Sequence, residues 1–390
     1  MKYLSGKNKI IVFIAAFVLF FDSMTVMGQE DQENLGLYAR SALLMDASNG
    51  RVLYEENGYE IMPMASTTKI MTCILALEYG NPEDTVTVSA YAASMPKVKL
   101  YLRKGEQYRL GDLLYSLMLQ SHNDSAVAIA EHIGGSVEGF AALMNQKARD
   151  LGCTDTNFVT PNGLDGVDAA GNAHATTAYD MAKIASYAIQ DERFREIIAT
   201  KSYSFCDIQG KRNYTFSNTD AFLDMMPGAI GIKTGYTGEA GYCFVGALEN
   251  EDRLYVSVVL ACGWPPNKGY KWHDTKILMA YGVENYEYRE IEVRHEVPKL
   301  PVVEGQKDEA ALYVEAEDFS MLLNESERVS FVRELPDALH APLRAGDVAG
   351  YDKYYIEGEL YRTYPIYLAD SVKRIDYVFC IERLIDKILL

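Results

Sequence analysis

Apolar positions recur along this chain in two rhythms, and the switches between them outline its elements. Residues 42–46 and 51–56 read as two short strands, and Asn49-Gly50 between them is a dipeptide suited to a tight hairpin turn. A stretch apolar nearly all round follows and predicts a buried helix from about Ser66, ending at Gly80-Asn81-Pro82. Lys69 is the only charged residue between Met62 and Leu77. A second helix is expected over residues 113–120, capped by Gly111-Asp112, with a break at Ser121-His122-Asn123-Asp124 and a third helix running to Gly134-Gly135. Helical spacing returns at 137–150 and 178–190, and strand patterns at 229–236, 241–248 and 254–261, before a helix over 271–286. Strands at both ends of this region bracket a helical middle. The expected fold class is α/β of the α+β type: a five-stranded antiparallel sheet covered by helices, with a helical lobe inserted.

Beyond residue 288 the texture changes. Short strands are expected at 291–297, 311–314, 328–332 and 354–360, punctuated by Pro298, Pro301, Pro336, Pro342 and Gly346. The last twenty residues place Ile375, Val378, Ile381, Leu384, Ile385, Ile388 and Leu389 on one helical face, and Asp376, Arg383, Asp386 and Lys387 on the other, with Glu382 near the boundary. Such a two-faced helix suits the outer surface of a membrane, or docking on its own domain or a partner. At the other end, Lys2, Lys7 and Lys9 precede an apolar run over 10–21 and small residues at Val26 and Gly28, the pattern of a secretory signal peptide. The expected organisation is a leader at 1–28, a large domain at 29–288, a small β-rich domain at 289–369 and an amphipathic helix at 370–390. The body then works outside the cytoplasm, attached peripherally to the outer face of the membrane.

A formal charge of −18 makes the chain a poor nucleic-acid binder. Its six cysteines form no C-x-x-C pair and its six histidines show no ligand spacing, so a zinc peptidase is not expected. Cys243 and Cys262 fall in neighbouring predicted strands and could pair, but buried free thiols are the favoured expectation.

The candidate chemistry starts from Lys69. At helical spacing Ser66 and Lys69 lie on one face and can touch. A serine at a helix start meets free N–H groups and the positive dipole end, and a lysine can take its proton only if burial or a second cation lowers its pKa. A second Ser-x-x-Lys, Ser94 to Lys97, lies in a proline-containing loop leading to a charged, exposed-looking stretch and is read as coincidence. Ser121-His-Asn123 is the only Ser-x-Asn in the chain, in a helix break where Ser121 can relay a proton to a leaving amine and Asn123 can hold a substrate amide. Lys233-Thr234-Gly235 is likewise the only Lys-Thr-Gly and lies on a predicted strand. Lys233 supplies the second cation, Thr234 a hydroxyl for a carboxylate, and Gly235 room for close backbone approach.

In this order the three motifs resemble those of penicillin-binding proteins and serine β-lactamases. With Ser-Thr-Thr-Lys-Ile-Met-Thr72, Leu119-Gln-Ser-His-Asn-Asp-Ser125, Phe158-Val-Thr-Pro-Asn-Gly-Leu-Asp165 and Gly231 to Cys243, the resemblance is closest to the low-molecular-mass D-alanyl-D-alanine carboxypeptidases. It implies that Ser66 attacks the carbonyl between the last two D-alanines of a peptidoglycan stem peptide, with Lys69 as base. Ser121 then relays the proton, Lys233 and Thr234 grip the departing carboxylate, and Asn123 holds the stem peptide. The N–H groups of Ser66 and Tyr236 form the oxyanion hole. No metal or organic cofactor is implied, and β-lactams would acylate Ser66. His122 stands where glycine is usual, and is expected to narrow the cleft.

Two other functions are compatible with parts of this pattern. A class A-like β-lactamase needs Glu-x-x-Leu-Asn between the second and third motifs, and none of Glu131, Glu138, Glu192 and Glu196 has asparagine four residues on. A non-catalytic wall-binding or β-lactam-sensing module would be expected to lack Lys69, Ser121 or Lys233, and all three are present.

Overall fold

A computed structural model describes residues 34–96 and 98–389. The leader at 1–28 and Lys97 lie outside the described residues, as do the side chains of Lys387 and Leu389. Strands β1 (Ser41–Asp46) and β2 (Val52–Glu56) form the expected hairpin. A 3₁₀ turn, Ala65–Thr68, leads into α1 (Lys69–Tyr79). The helical lobe follows. It contains the small strand pair β3 (Thr85–Thr87) and β4 (Gln107–Arg109), and helices α2 (Ala90–Ser94), α3 (Leu110–Gln120), α4 (Asn123–Gly134), α5 (Val137–Asp150), α6 (Ala178–Ala188) and α7 (Glu192–Ala199). A hairpin of β5 (Ser202–Cys206) and β6 (Asn213–Ser217) closes it. Strands β7 (Ala229–Thr237), β8 (Gly241–Asn250) and β9 (Arg253–Leu260) complete the main sheet, and α8 (Tyr270–Asn285) packs across it.

The sheet order is β2-β1-β9-β8-β7, antiparallel throughout, so β7 is an edge strand. Strand alternation sorts the two cores. Leu43, Met45, Val256, Val258 and Leu260 face the helical lobe, while Ala42, Leu44, Tyr255 and Val259 face α8. Left-handed Ala261, at φ 48°, breaks that alternation after β9. Cys262 therefore packs in the α8-side core, whereas Cys243 follows the alternation of β8 into the lobe-side core, and both thiols are free. Cys206 and Cys380 are exposed, against the expectation of buried thiols.

The C-terminal region departs from its predicted boundaries. The strand expected at 291–297 is β10 (Glu287–Ile291), which pairs in register with β14 (Phe319–Leu323), a strand the apolar pattern did not single out. It ends because the Val293 N–H is taken by the Asp318 side chain and the Arg294 N–H by the Tyr354 hydroxyl. Between them lie β11 (Leu300–Val303), β12 (Glu309–Ala310) and β13 (Leu312–Val314). After β15 (Val329–Glu334) and β16 (Leu339–His340), the strand expected at 354–360 is two strands, β17 (Val348–Ile356) and β18 (Glu359–Leu368). Glu357 and Gly358 are both left-handed and make the two-residue turn between them.

A bidentate Arg333–Asp352 pair, with both distances 2.7 Å, ties β15 to β17. Arg51 at the β1–β2 turn donates to the Leu322 carbonyl and pairs with Glu327, joining this region to the main sheet. The terminal helix, α9 (Tyr377–Leu389), is shorter than expected. Val372 and Arg374 are held in bridges to Leu343 and Gly305, and Asp376 caps the helix at the Phe379 N–H.

Candidate active site

Ser66 is the second residue of the 3₁₀ turn rather than the first turn of an α-helix. The turn is held by side chains: the Thr67 hydroxyl donates to Met64 O at 2.6 Å and the Thr68 hydroxyl to Ala65 O at 2.8 Å. Ala65, immediately before the serine, is buried and left-handed at φ 48°. Lys69 opens α1 with no exposed surface. Its Nζ lies 2.8 Å from Ser66 Oγ, 2.9 Å from Asn123 Oδ1 and 2.5 Å from the Asn162 carbonyl. Burial drives its pKa well below the ordinary lysine range, Lys233 pushes it further, and Asp124 pulls the other way.

The second motif falls where α3 meets α4, and the break is only two residues long. Ser121 is left-handed at φ 63° and ends α3, and Asn123 already opens α4 because its N–H is taken by Val98 O. The Ser121 hydroxyl is buried with no hydrogen-bond partner among the described residues. Asn123 spends its side-chain carbonyl on Lys69, which leaves its amide, 3.4 Å from Pro96 O, as the group free for other acceptors. His122 does not narrow the cleft as expected. Its Nδ1 is 2.8 Å from Ser116 Oγ, its ring stands edge-on to Phe216, and it is 8% exposed. Burial lowers its pKa to about 4, so the imidazole is neutral packing at the helix junction.

Strand β7 supplies the third motif along an open edge of the sheet. Lys233 is buried and donates to Thr234 O at 3.1 Å, and burial lowers its pKa to about 8 against the opposing field of Asp220. Thr234 is half-buried and Tyr236 exposed, its ring against Tyr242. A Cβ on Gly235 would stand 3.1 Å from both Ala65 Cβ and Ser66 N, so the missing side chain lets the serine turn pack closely against β7. The structure therefore gathers Ser66, Lys69 and Asn123 by direct contact, brings Gly235 against them, and sets Lys233 within electrostatic reach. The other Ser-x-x-Lys separates from this cluster at its serine: Ser94 is exposed and donates to Tyr91 O.

Three contributors were not picked out from the sequence. Asn162 acts through its backbone carbonyl, which every residue owns. The stretch Phe158 to Asp165 entered the sequence reading only through the family resemblance, with no role for its backbone. Gly163, at φ 82°, is tight enough that a Cβ would lie 1.9 Å from Ala65 O. Asp220 is buried, accepts the Phe222 N–H and acts electrostatically on Lys233, and burial raises its pKa to about 6. Among the described residues no three His, Cys, Asp or Glu side chains are grouped to hold a metal ion.

Comparison with known proteins accounts for nearly the whole chain. Residues 27–263 match the D-alanyl-D-alanine carboxypeptidase family, and residues 286–374 match the C-terminal domain of penicillin-binding protein 5. The D-alanyl-D-alanine carboxypeptidase DacF of Bacillus subtilis is 31% identical over 354 residues, covering 88% of each chain. Penicillin-binding protein 5 from Haemophilus influenzae superposes with a TM-score of 0.69 at 29% identity, over 87% of this chain and 98% of that one. Penicillin-binding protein D2 from Listeria monocytogenes, solved with ampicillin bound, superposes with a TM-score of 0.56 at 29% identity, over 64% of this chain and all (100%) of that one. With residues 27–263, more than half of its length, matching that family, the chain belongs to the serine-type D-alanyl-D-alanine carboxypeptidases.

Proposed function

We propose that Ser66 is the acylated nucleophile in removal of the terminal D-alanine from peptidoglycan stem pentapeptides, outside the cytoplasm. The observation that carries this reading is the set of three contacts at Lys69 Nζ. A neutral amine has two N–H donors and one lone pair. Two carbonyls, Asn123 Oδ1 and Asn162 O, take the donors, and the lone pair is left for the Ser66 hydroxyl proton.

In the forward step Ser66 Oγ attacks the carbonyl between the two D-alanines and Lys69 accepts its proton. Charge on the carbonyl oxygen is met by the N–H groups of Ser66 and Tyr236; one such donor contributes roughly 100- to 1000-fold. Ser121 passes a proton to the departing amine, and its unpartnered hydroxyl supports that role. Lys233 and Thr234 hold the departing carboxylate, and the Asn123 amide holds the stem peptide. Water then attacks the acyl-enzyme, with the proton moving back through the same base. β-Lactams enter by the same acylation and remain on Ser66.

Attachment to the outer face of the membrane through α9 completes the reading. Among the described residues no helix is long and apolar enough to cross a membrane. On α9, Val378, Leu384, Ile385 and Ile388 are between 49% and 78% exposed, which suits a helix lying in an interface. Incubation with a pentapeptide ending in two D-alanines should release one D-alanine, and Ser66→Ala should abolish release and the penicillin adduct together. Undiminished release by the variant removes Ser66 as the nucleophile.

A further inference from the structure

We infer that His174 is a positioning residue for acylation, acting through Thr68 on the peptide unit that carries the Ser66 N–H; this rests on Ser66 being the nucleophile. His174 is 4% exposed in the loop between α5 and α6 and touches none of Ser66, Lys69 or Ser121 by hydrogen bond.

Its tautomer follows from its partners. Nδ1 accepts the Val159 N–H at 2.9 Å, with the Thr160 N–H at 3.4 Å, and a backbone N–H can only donate. Nδ1 therefore carries no proton, and the neutral ring bears its proton on Nε2. Nε2 is 2.8 Å from the Thr68 hydroxyl oxygen, so it donates there. The Thr68 hydrogen in turn goes to Ala65 O at 2.8 Å. Four groups thus form a one-directional chain: Val159 N–H to His174, His174 to Thr68, and Thr68 to the Ala65 carbonyl. Hydrogen bonds in such a chain polarise one another in the same sense.

The Ala65 carbonyl and the Ser66 N–H belong to one planar peptide unit and point in opposite directions, so holding the oxygen aims the N–H. Ala65 is a non-glycine residue in the left-handed region, a conformation that needs its surroundings to hold it. Gly163 also packs against this carbonyl, closely enough that a Cβ there would lie 1.9 Å from the oxygen. Through Val159 the same ring is also tied to the loop whose Pro161 and Asn162 carbonyls accept from Thr72 and Lys69. One neutral imidazole thus sets the relative position of the oxyanion donor and the carbonyl that orients the base.

The test measures the acylation rate constant and the non-covalent dissociation constant for a fluorescent penicillin, together with kcat and KM for D-alanine release. Thr68→Val keeps the shape and removes the relay; it should slow acylation roughly 10- to 100-fold and leave the dissociation constant and KM within about twofold. His174→Asn retains an acceptor near Nδ1 and loses the donor, and should match Thr68→Val. His174→Gln retains a donor near Nε2 and should recover most of the rate. Because the two residues act in series, Thr68→Val with His174→Asn should be no slower than Thr68→Val alone.

Acylation by Thr68→Val at the wild-type rate overturns the inference, and so do two single losses that multiply in the double variant. A loss seen only in KM or in melting temperature overturns it as well, because that is the mark of a merely structural residue. A wild-type chain that forms no adduct at Ser66 would instead overturn the underlying assignment of the nucleophile, so the two failures are told apart.

Discussion

Lys69 and Lys233 are both buried, and the charge of Lys233 adds to burial in holding Lys69 well below the ordinary lysine range. Each is pulled out of water, but Lys69 also feels the charge of Lys233, whereas Lys233 feels the compensating carboxylate of Asp220. The two amines therefore titrate apart, and a neutral base can stand beside a charged anchor for a carboxylate.

Acylation should follow a bell-shaped pH profile. It rises as Lys69 loses its proton and falls near pH 8, where Lys233 loses its charge. Replacing Lys233 by Met should remove the falling limb and shift the rising limb to higher pH, because the Coulombic push on Lys69 is gone. Stability carries the opposite sign at the alkaline end. Lys233 titrates at about 8 when folded against 10.5 ordinarily, so its burial cost declines as pH rises between those values. Stopped-flow acylation and thermal melts across the pH range check both statements.

Ser121→Ala separates activity from stability. The hydroxyl is buried and unpartnered among the described residues, so its removal relieves an unsatisfied group and should leave stability unchanged or raise it by about 1 kcal/mol. Loss of the proton relay should lower kcat roughly 100-fold or more. A melting curve beside a D-alanine release assay reads both.

Gly163→Ala should damage the site without touching a functional side chain. Its φ is 82° and the new Cβ would lie 1.9 Å from Ala65 O and 2.9 Å from Ser66 N. Backbone must move, at a cost of about 1–3 kcal/mol, and the acylation rate should fall with it.

Ile381→Glu with Ile385→Glu should abolish co-flotation with lipid vesicles while kcat/KM on a soluble pentapeptide stays within twofold. Both residues are exposed on α9, at 39% and 49%. Unchanged flotation would exclude this helix as the attachment.

The main sheet, the order of its helices and the three motifs were legible because they rest on local signals. Asn49-Gly50 marks the hairpin of β1 and β2, glycine and proline end α1, and a lone charge in an apolar helix marks Lys69. The β-rich region was less legible. Glu357-Gly358 turns the chain inside what reads as one continuous strand, and β14 is defined by its partner β10 more than by its own pattern.

What the sequence determined alone was the three motifs, the family they mark and the order of the elements around them, since side-chain type and periodicity are properties of the chain. What only the tertiary structure decided was how they are aimed. The Asn162 carbonyl that completes the shell of Lys69, the left-handed Ala65 beneath Ser66, the neutral tautomer of His174 and the turning of His122 into packing all depend on backbone groups or partners far away in the chain. A backbone carbonyl looks the same in every residue type, and a tautomer is set by whichever neighbour arrives, so neither leaves a mark in the order of amino acids.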